Sequence, residues 1–158
     1  MKIYIFGYGS LMNPKSLLKT LPGERTTRWA TLLGYQRKLN APVNGYLYLN
    51  IVPRVGKRAE GKVIAITKEE LGKLQKRELG YKCVDITERM EEKIEGAVYT
   101  FLAPDKSYPG MQIPRSYLAT CLAGKSDAEK QLWLKETAIE NEIVEDMFKP
   151  AYVNAVFD

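Results

Sequence analysis

Apolar positions begin to recur at once. Residues 2–7, Lys-Ile-Tyr-Ile-Phe-Gly, alternate and are rich in β-formers, which predicts a strand. Asn13-Pro14 puts a capping residue before a proline at the first helical position and predicts a short helix over 14–20, ended by Leu21-Pro22-Gly23. Strand-like stretches follow near 28–40 and 46–53, with the turn residues Pro42, Asn44 and Gly45 between them. Residues 61–67 read as a further strand. Thr67-x-x-Glu70 is a capping box that opens a helix over 68–79, which Gly80 closes. Two more strands are predicted from Tyr81 to Ile86 and from Gly96 to Leu102. Residues 103–113 carry Pro104, Pro109 and Gly110 and read as an exposed loop. Pro114 starts a helix that stops at Gly124. A second capping box, Ser126-x-x-Glu129, opens a long helix to about Phe148, with Leu132, Ile139, Ile143 and Met147 as its apolar stripe. Many short strands with few helices between them predict an α+β fold. Its sheet is small, mixed and mostly antiparallel, able to close into a β-barrel, with flanking helices.

Composition narrows the chemistry. The chain has 158 residues, a length that fits one domain over 1–158 with a core that needs no staples. No apolar run approaches the ~20 residues of a membrane span, so no membrane partner is expected. No small-residue cleavage site follows the first apolar run, which reads as a strand rather than a signal peptide. There is no histidine. That excludes Ser-His-Asp and Cys-His mechanisms and removes the commonest zinc ligand. The two cysteines, Cys83 and Cys121, form no Cys-x-x-Cys pair, so a thiolate metal site is not expected. They read as buried small hydrophobes in an intracellular, cytoplasmic protein, with a single disulfide left open. Acid–base chemistry must then come from Glu, Asp, Lys, Tyr or Cys.

Charge is unevenly spread. Residues 1–62 carry 11 Lys and Arg against 2 acids; residues 63–158 carry 13 against 17. The basic residues are scattered rather than clustered, which argues against a nucleic-acid partner and leaves an anionic small substrate or a solvated surface. No long exposed apolar stripe is evident, so a monomer is expected.

Two places could carry chemistry. Phe6-Gly7-Tyr8-Gly9-Ser10-Leu11-Met12 leaves the first strand and runs into the helix capped by Asn13. Two glycines let backbone N–H groups point into a concave space, and a helix N-terminus behind them adds positive partial charge. That suits a carboxylate or a developing oxyanion, although a tight strand–helix connection needs glycine too. The spacing is neither a Walker loop nor a full G-x-G-x-x-G. The second place is Glu78. At about 100° per residue with Leu71 at zero, Leu74 falls at about 300° and Glu78 at about 340°. Glu78 thus shares the apolar face, where burial raises a carboxyl pKa toward neutrality. The competing reading is a fraying helix end with Glu78 turned to solvent. Tyr35, Tyr81 and Tyr117 are candidates to line a pocket, and Arg37 could pair with a substrate carboxylate; core-edge tyrosines and an exposed strand arginine are the commoner cases. Cys83 has no histidine base and is a poor nucleophile.

These pieces resemble the γ-glutamylcyclotransferase-like superfamily. Gly7-Tyr8-Gly9-Ser10-Leu11 after the first strand is similar to its Tyr-Gly-Ser-Leu signature. Leu71 to Val84, LGKLQKRELGYKCV, is similar to its second signature, a Glu followed three residues later by Tyr and then an apolar strand. Gly34-Tyr35-x-Arg37, the glycine-led strand at Gly61, and Pro114 with Tyr117-Leu118 fall in the family's order. The resemblance covers about residues 1–124, and the predicted helix near 126–148 is not matched to it. It implies a small α+β fold around a β-barrel, and release of 5-oxoproline from a γ-glutamyl compound without metal or organic cofactor. Glu78 is then the acid–base residue, and Tyr8, Gly9, Ser10 and Leu11 form the substrate-binding loop. The α-amine of the substrate is the nucleophile, so a missing histidine does no harm. A non-catalytic, ligand-binding member of the same fold is the alternative. The leaving group stays open; the stretches 42–58 and 103–115, read as loops, are expected to shape it.

Overall fold

The computed structural model describes residues 2–9, 21, 23, 25–78 and 80–146. The helix expected over 14–20 lies outside these residues, as do Ser10, Leu11 and Met147. The elements are β1 (Ile3–Gly7), β2 (Thr27–Val43), β3 (Tyr46–Ile66), α1 (Lys68–Arg77), β4 (Lys82–Asp85), a 3₁₀ turn at Thr87–Arg89, β5 (Ala97–Leu102), β6 (Ile113–Pro114), α2 (Arg115–Leu122), α3 (Asp127–Glu136), β7 (Thr137–Ala138) and β8 (Ile143–Val144).

The six-stranded sheet runs β4-β5-β1-β3-β2-β7. Its backbone is the long β2–β3 hairpin, turned at Asn44 and Gly45. Both residues have positive φ, 47° and 88°, as a two-residue hairpin turn with right-handed twist demands. β1 lies antiparallel to the far half of β3, with Ile5 opposite Ile64, and parallel to β5, with Ile5 opposite Tyr99. The fold is therefore α+β with a mostly antiparallel mixed sheet. The barrel does not close among the described residues: β4 and the two-residue β7 remain as separate edges.

Three expectations need correction. The strands expected at 46–53 and 61–67 are one strand, β3, and the stretch 42–58 is hairpin rather than loop. Pro53, inside β3, sits opposite Tyr35 beside a register shift between Leu33 and Tyr35, where a missing N–H is tolerated. The helix expected over 126–148 stops at Glu136. Thr137 leaves helical geometry (φ −109°, ψ 128°), and residues 137–138 and 143–144 pair with β2 and β6 instead.

Because β1 is central, both of its faces are covered. Ile5 joins Leu21, Ile64, Ile66, Leu74 and Phe101 in one apolar cluster on the α1 side, while Phe6 and Tyr8 point the other way into the larger core. Period-2 alternation thus carries the chain from core to site. The strand ends where its next residues, Tyr8 and Gly9, meet the end of α1.

Candidate active site

The end of α1 is set by its start. Thr67 accepts from the Glu70 amide and the Glu70 carboxylate accepts from the Thr67 amide, so the capping box read from the sequence is formed. Arg25 adds a two-pronged ion pair to the Glu70 carboxylate and a hydrogen bond to the Ala65 carbonyl, which moors this end of the helix to the end of β3. Leu74, fully buried, packs the helix on the sheet. Gly80, at φ 84°, lets the chain reverse into β4.

Glu78 is the residue caught in that reversal. It is the C-cap rather than a helical residue: its amide donates to the Leu74 carbonyl at 2.9 Å, and its carbonyl accepts from the Tyr81 amide at 3.2 Å. The side chain turns inward and is 3% exposed, against the solvated reading of a frayed end. Its Oε1 has no hydrogen-bond partner. Burial pushes the carboxyl pKa up to about 8, with the neighbouring Arg77 charge pulling the other way.

The carboxyl lines a small cavity. One wall is the exit of β1, Phe6 to Gly9; the others are Tyr81 after α1 and Thr100 with Phe101 on β5. The free space is about 20 Å³, the room of one water molecule. The Tyr8 hydroxyl donates to the Phe101 carbonyl at 2.5 Å, the Tyr81 hydroxyl to the Leu49 carbonyl at 3.0 Å, and the Thr100 hydroxyl to the Phe6 carbonyl at 2.8 Å. Burial raises both phenols well above their ordinary pKa, so they stay protonated donors. Of the described side-chain oxygens in this lining, Glu78 Oε1 alone is an unpaired acceptor. The exit of β5 is held by the fully buried Asn50, whose amide donates to the Ala103 carbonyl (3.0 Å) and accepts from the Ala103 amide (2.8 Å).

Of the residues singled out from sequence, the structure brings Tyr8, Gly9, Glu78 and Tyr81 together. Tyr117 stands behind them. It is fully buried, packs edge-on against Tyr48 at 4.9 Å, and its hydroxyl accepts from the Leu49 amide at 3.2 Å. Leu49 is therefore held by Tyr117 on its N–H and by Tyr81 on its carbonyl. Arg37 is not at this cavity: it lines a different hollow, stacked over Trp133 at 5.2 Å and bonded through Nε to Thr137 Oγ1 at 3.1 Å. Tyr35 faces a shallow surface hollow with Asp85 and Thr87. Sequence reasoning missed Thr100 and Phe101, which reach the cavity only through the β1–β5 pairing. No local pattern announces such a parallel contact. Cys83 is half-buried and Cys121 buried; both are free thiols. Among the described residues, no three His, Cys, Asp or Glu side chains converge as metal ligands would, and no helix is long and apolar enough to cross a membrane.

Residues 5–117 match the family described as gamma-glutamyl cyclotransferase, AIG2-like, and the chain belongs to that family. Among solved structures, it is similar to a solution structure from Arabidopsis thaliana at 28% identity and a TM-score of 0.57, covering 85% of this chain and 83% of the other. It shares its fold with a gamma-glutamyl cyclotransferase at 16% identity and a TM-score of 0.68, over 95% and 92% of the two chains. The same holds for a human protein at 16% identity and a TM-score of 0.67, over 94% and 92%. No functionally curated protein matches the chain.

Proposed function

We propose that this protein is a cofactor-independent γ-glutamyl cyclotransferase that releases 5-oxoproline from a γ-glutamyl amine, dipeptide or conjugate, with Glu78 as general acid and base. The observation that carries this reading is the buried, unpaired carboxyl of Glu78 facing the exit of β1. The family and the shared fold support the same class of reaction.

The chemistry asks little else of the protein. The α-amine and the δ-carbonyl belong to one molecule, so holding the reactive rotamer supplies much of the rate. The amine arrives as an ammonium and must lose a proton before it attacks. Burial raises the Glu78 carboxyl to about 8, which brings it toward the basicity of an amine and makes the proton transfer less uphill than to an ordinary carboxylate. An ammonium beside Glu78 also favours its carboxylate form. The nitrogen then bonds to the δ-carbon, and the carbonyl becomes an oxyanion. As the old C–N bond breaks, Glu78 hands its proton to the departing nitrogen; the ring nitrogen, which still carries two hydrogens, gives one up through the carboxylate so re-formed, leaving 5-oxoproline and the amine in its ammonium form. Backbone N–H groups of the loop at Tyr8, Gly9, Ser10 and Leu11 are the donors assigned to the oxyanion or to the substrate carboxylate. Tyr81 lines the pocket, and Tyr117 acts behind it through Leu49. Turnover requires the walls to part, since the described cavity holds one water.

The test is incubation of the protein with a panel of γ-glutamyl amines, dipeptides and conjugates, with 5-oxoproline and the free amine followed by mass spectrometry. Stoichiometric release of both from at least one member is expected. Saturable binding of the panel without release identifies a ligand-binding member that has lost turnover.

A further inference from the structure

Both tryptophans of the chain, Trp29 and Trp133, line one hollow of about 170 Å³ formed by β2, β3 and α3. It shares no residue with the Glu78 cavity. A space of ~150 Å³ accommodates a benzene ring, so a small organic molecule fits here. The hollow contains Arg37, which is 4% exposed. A guanidinium has five N–H donors; the hydrogen bond of Arg37 is that from Nε to Thr137, and its nearest carboxylate, Glu136, stands 3.7 Å from Nη2, too long for a good hydrogen bond. Burial lowers the pKa of this guanidinium, and Glu136 and Glu60 offset part of that cost. Its Nη nitrogens are not among the buried polar atoms that lack a partner; they reach the open space of the hollow, where an anion with two acceptor atoms can meet them.

A simple anion is nevertheless the wrong occupant. Arg37 and Lys125 share the lining with Glu60, Glu129 and Glu136, so carboxylates outnumber cations. Glu129 is committed to the Ser126 amide and Glu136 leans on Arg37. The exposed Glu60 side chain makes no hydrogen bond and no ion pair within 4 Å among the described residues, and although its charge acts on Arg37 at longer range, its carboxylate is open to a cation in the hollow. The rim is apolar and unusually open for such side chains: Trp29 is 60% exposed and Leu132 54%. A ligand that answers all three features has a carboxylate, an ammonium and an apolar side chain.

We propose that this hollow binds a free α-amino acid with an apolar or aromatic side chain. Its carboxylate meets Arg37 and Lys125, its ammonium meets Glu60, and its side chain lies on Trp29 and Leu132. The site is independent of 5-oxoproline release, and its test reads binding alone. Because no tryptophan lies elsewhere in the chain, intrinsic emission reports on this hollow directly. The full-length protein is titrated with leucine and phenylalanine, and with their N-acetyl and methyl-ester derivatives. A saturable emission change at millimolar amino acid, with each derivative weaker by about tenfold or more, is the expected result, about 1.4 kcal/mol for each charged group. Glu60 is exposed, so Glu60→Gln tests the site without disturbing the core. It should weaken the free amino acid about tenfold and leave the N-acetyl form unchanged. Absence of a saturable change, equal response to the derivatives, or Glu60→Gln titrating like the parent overturns the proposal.

Discussion

The Tyr81 amide donates to the Glu78 carbonyl at 3.2 Å, and the Glu78 amide donates at 2.9 Å to the carbonyl of Leu74, four residues before it. The main chain of Glu78 is therefore held on both sides while one oxygen of its carboxyl is left unpaired in a cavity. Glutamine has the same shape and keeps these backbone bonds, but it cannot accept and return a proton. Glu78→Gln is expected to fold like the parent and to lower kcat for 5-oxoproline release by about 10²–10⁴-fold. Circular dichroism checks the first point and product mass spectrometry the second. Parent-like turnover in a folded Gln variant removes Glu78 from the chemistry.

The same carboxyl makes stability depend on pH. An unfolded glutamate titrates at about 4.3, and the folded one at about 8. Between these values the native state keeps a proton that the unfolded state has lost. Stability therefore falls as pH rises through the window and levels off above it, by on the order of 5 kcal/mol in total. Glu70 and Asp85, whose pKa values are lowered by their partners, act at the acid end and in the opposite direction. Glu78→Gln should abolish the decline. Urea midpoints for parent and variant from about pH 5 to about pH 9 are the measurement; parallel curves would show that Glu78 titrates normally.

How much of this was legible beforehand follows from where each signal resides. Both capping boxes are local, Thr67 with Glu70 and Ser126 with Glu129, and both form as read. The burial of Glu78 was legible from its angle to Leu71 and Leu74, although the residue is a cap and the burial depends on Gly80 turning the chain. The tail after Glu136 was not legible. Ile139 and Ile143 are four apart, a helical spacing, yet Thr137 breaks the helix by tying its hydroxyl to the Trp133 carbonyl and receiving Arg37 Nε. Arg37 and Thr137 are a hundred residues apart in sequence, and no periodicity encodes such a contact. For the same reason a correct strand position for Arg37 led to the wrong pocket.

Tyr8 links the strand exit to β5 through one buried bond, its hydroxyl donating to the Phe101 carbonyl. Tyr8→Phe keeps the ring in the core and removes the donor, leaving that carbonyl buried and unpaired. The cost expected is about 1–3 kcal/mol, read from urea denaturation. Untethering the exit of β1 should also raise KM for a γ-glutamyl substrate more than it lowers kcat, because the phenol stays protonated and takes no part in proton transfer. A variant with unchanged stability and KM would show that this bond does not position the loop.

Gly61 supports the same exit from beneath. A Cβ built there would lie 2.7 Å from Phe6 Cζ and closer still to the Gly7 carbonyl oxygen, in the rung beside Gly7 and Lys62. The phenyl ring is buried and the oxygen is backbone, so neither can yield cheaply. Gly61→Ala is expected to cost about 1–3 kcal/mol or more and, by displacing Gly7, to lower kcat/KM for 5-oxoproline release beyond what the stability loss explains. Gly72 supplies the control. It lies inside α1 with nothing within 4 Å of an added Cβ, so Gly72→Ala should gain roughly 0.5–1 kcal/mol from helix propensity and leave turnover unchanged. Urea midpoints and steady-state kinetics on the two alanine variants separate close packing at the exit of β1 from a general sensitivity to replacing glycine. Equal behaviour of the two would mean that the contact between β1 and β3 at Gly61 has no bearing on the site.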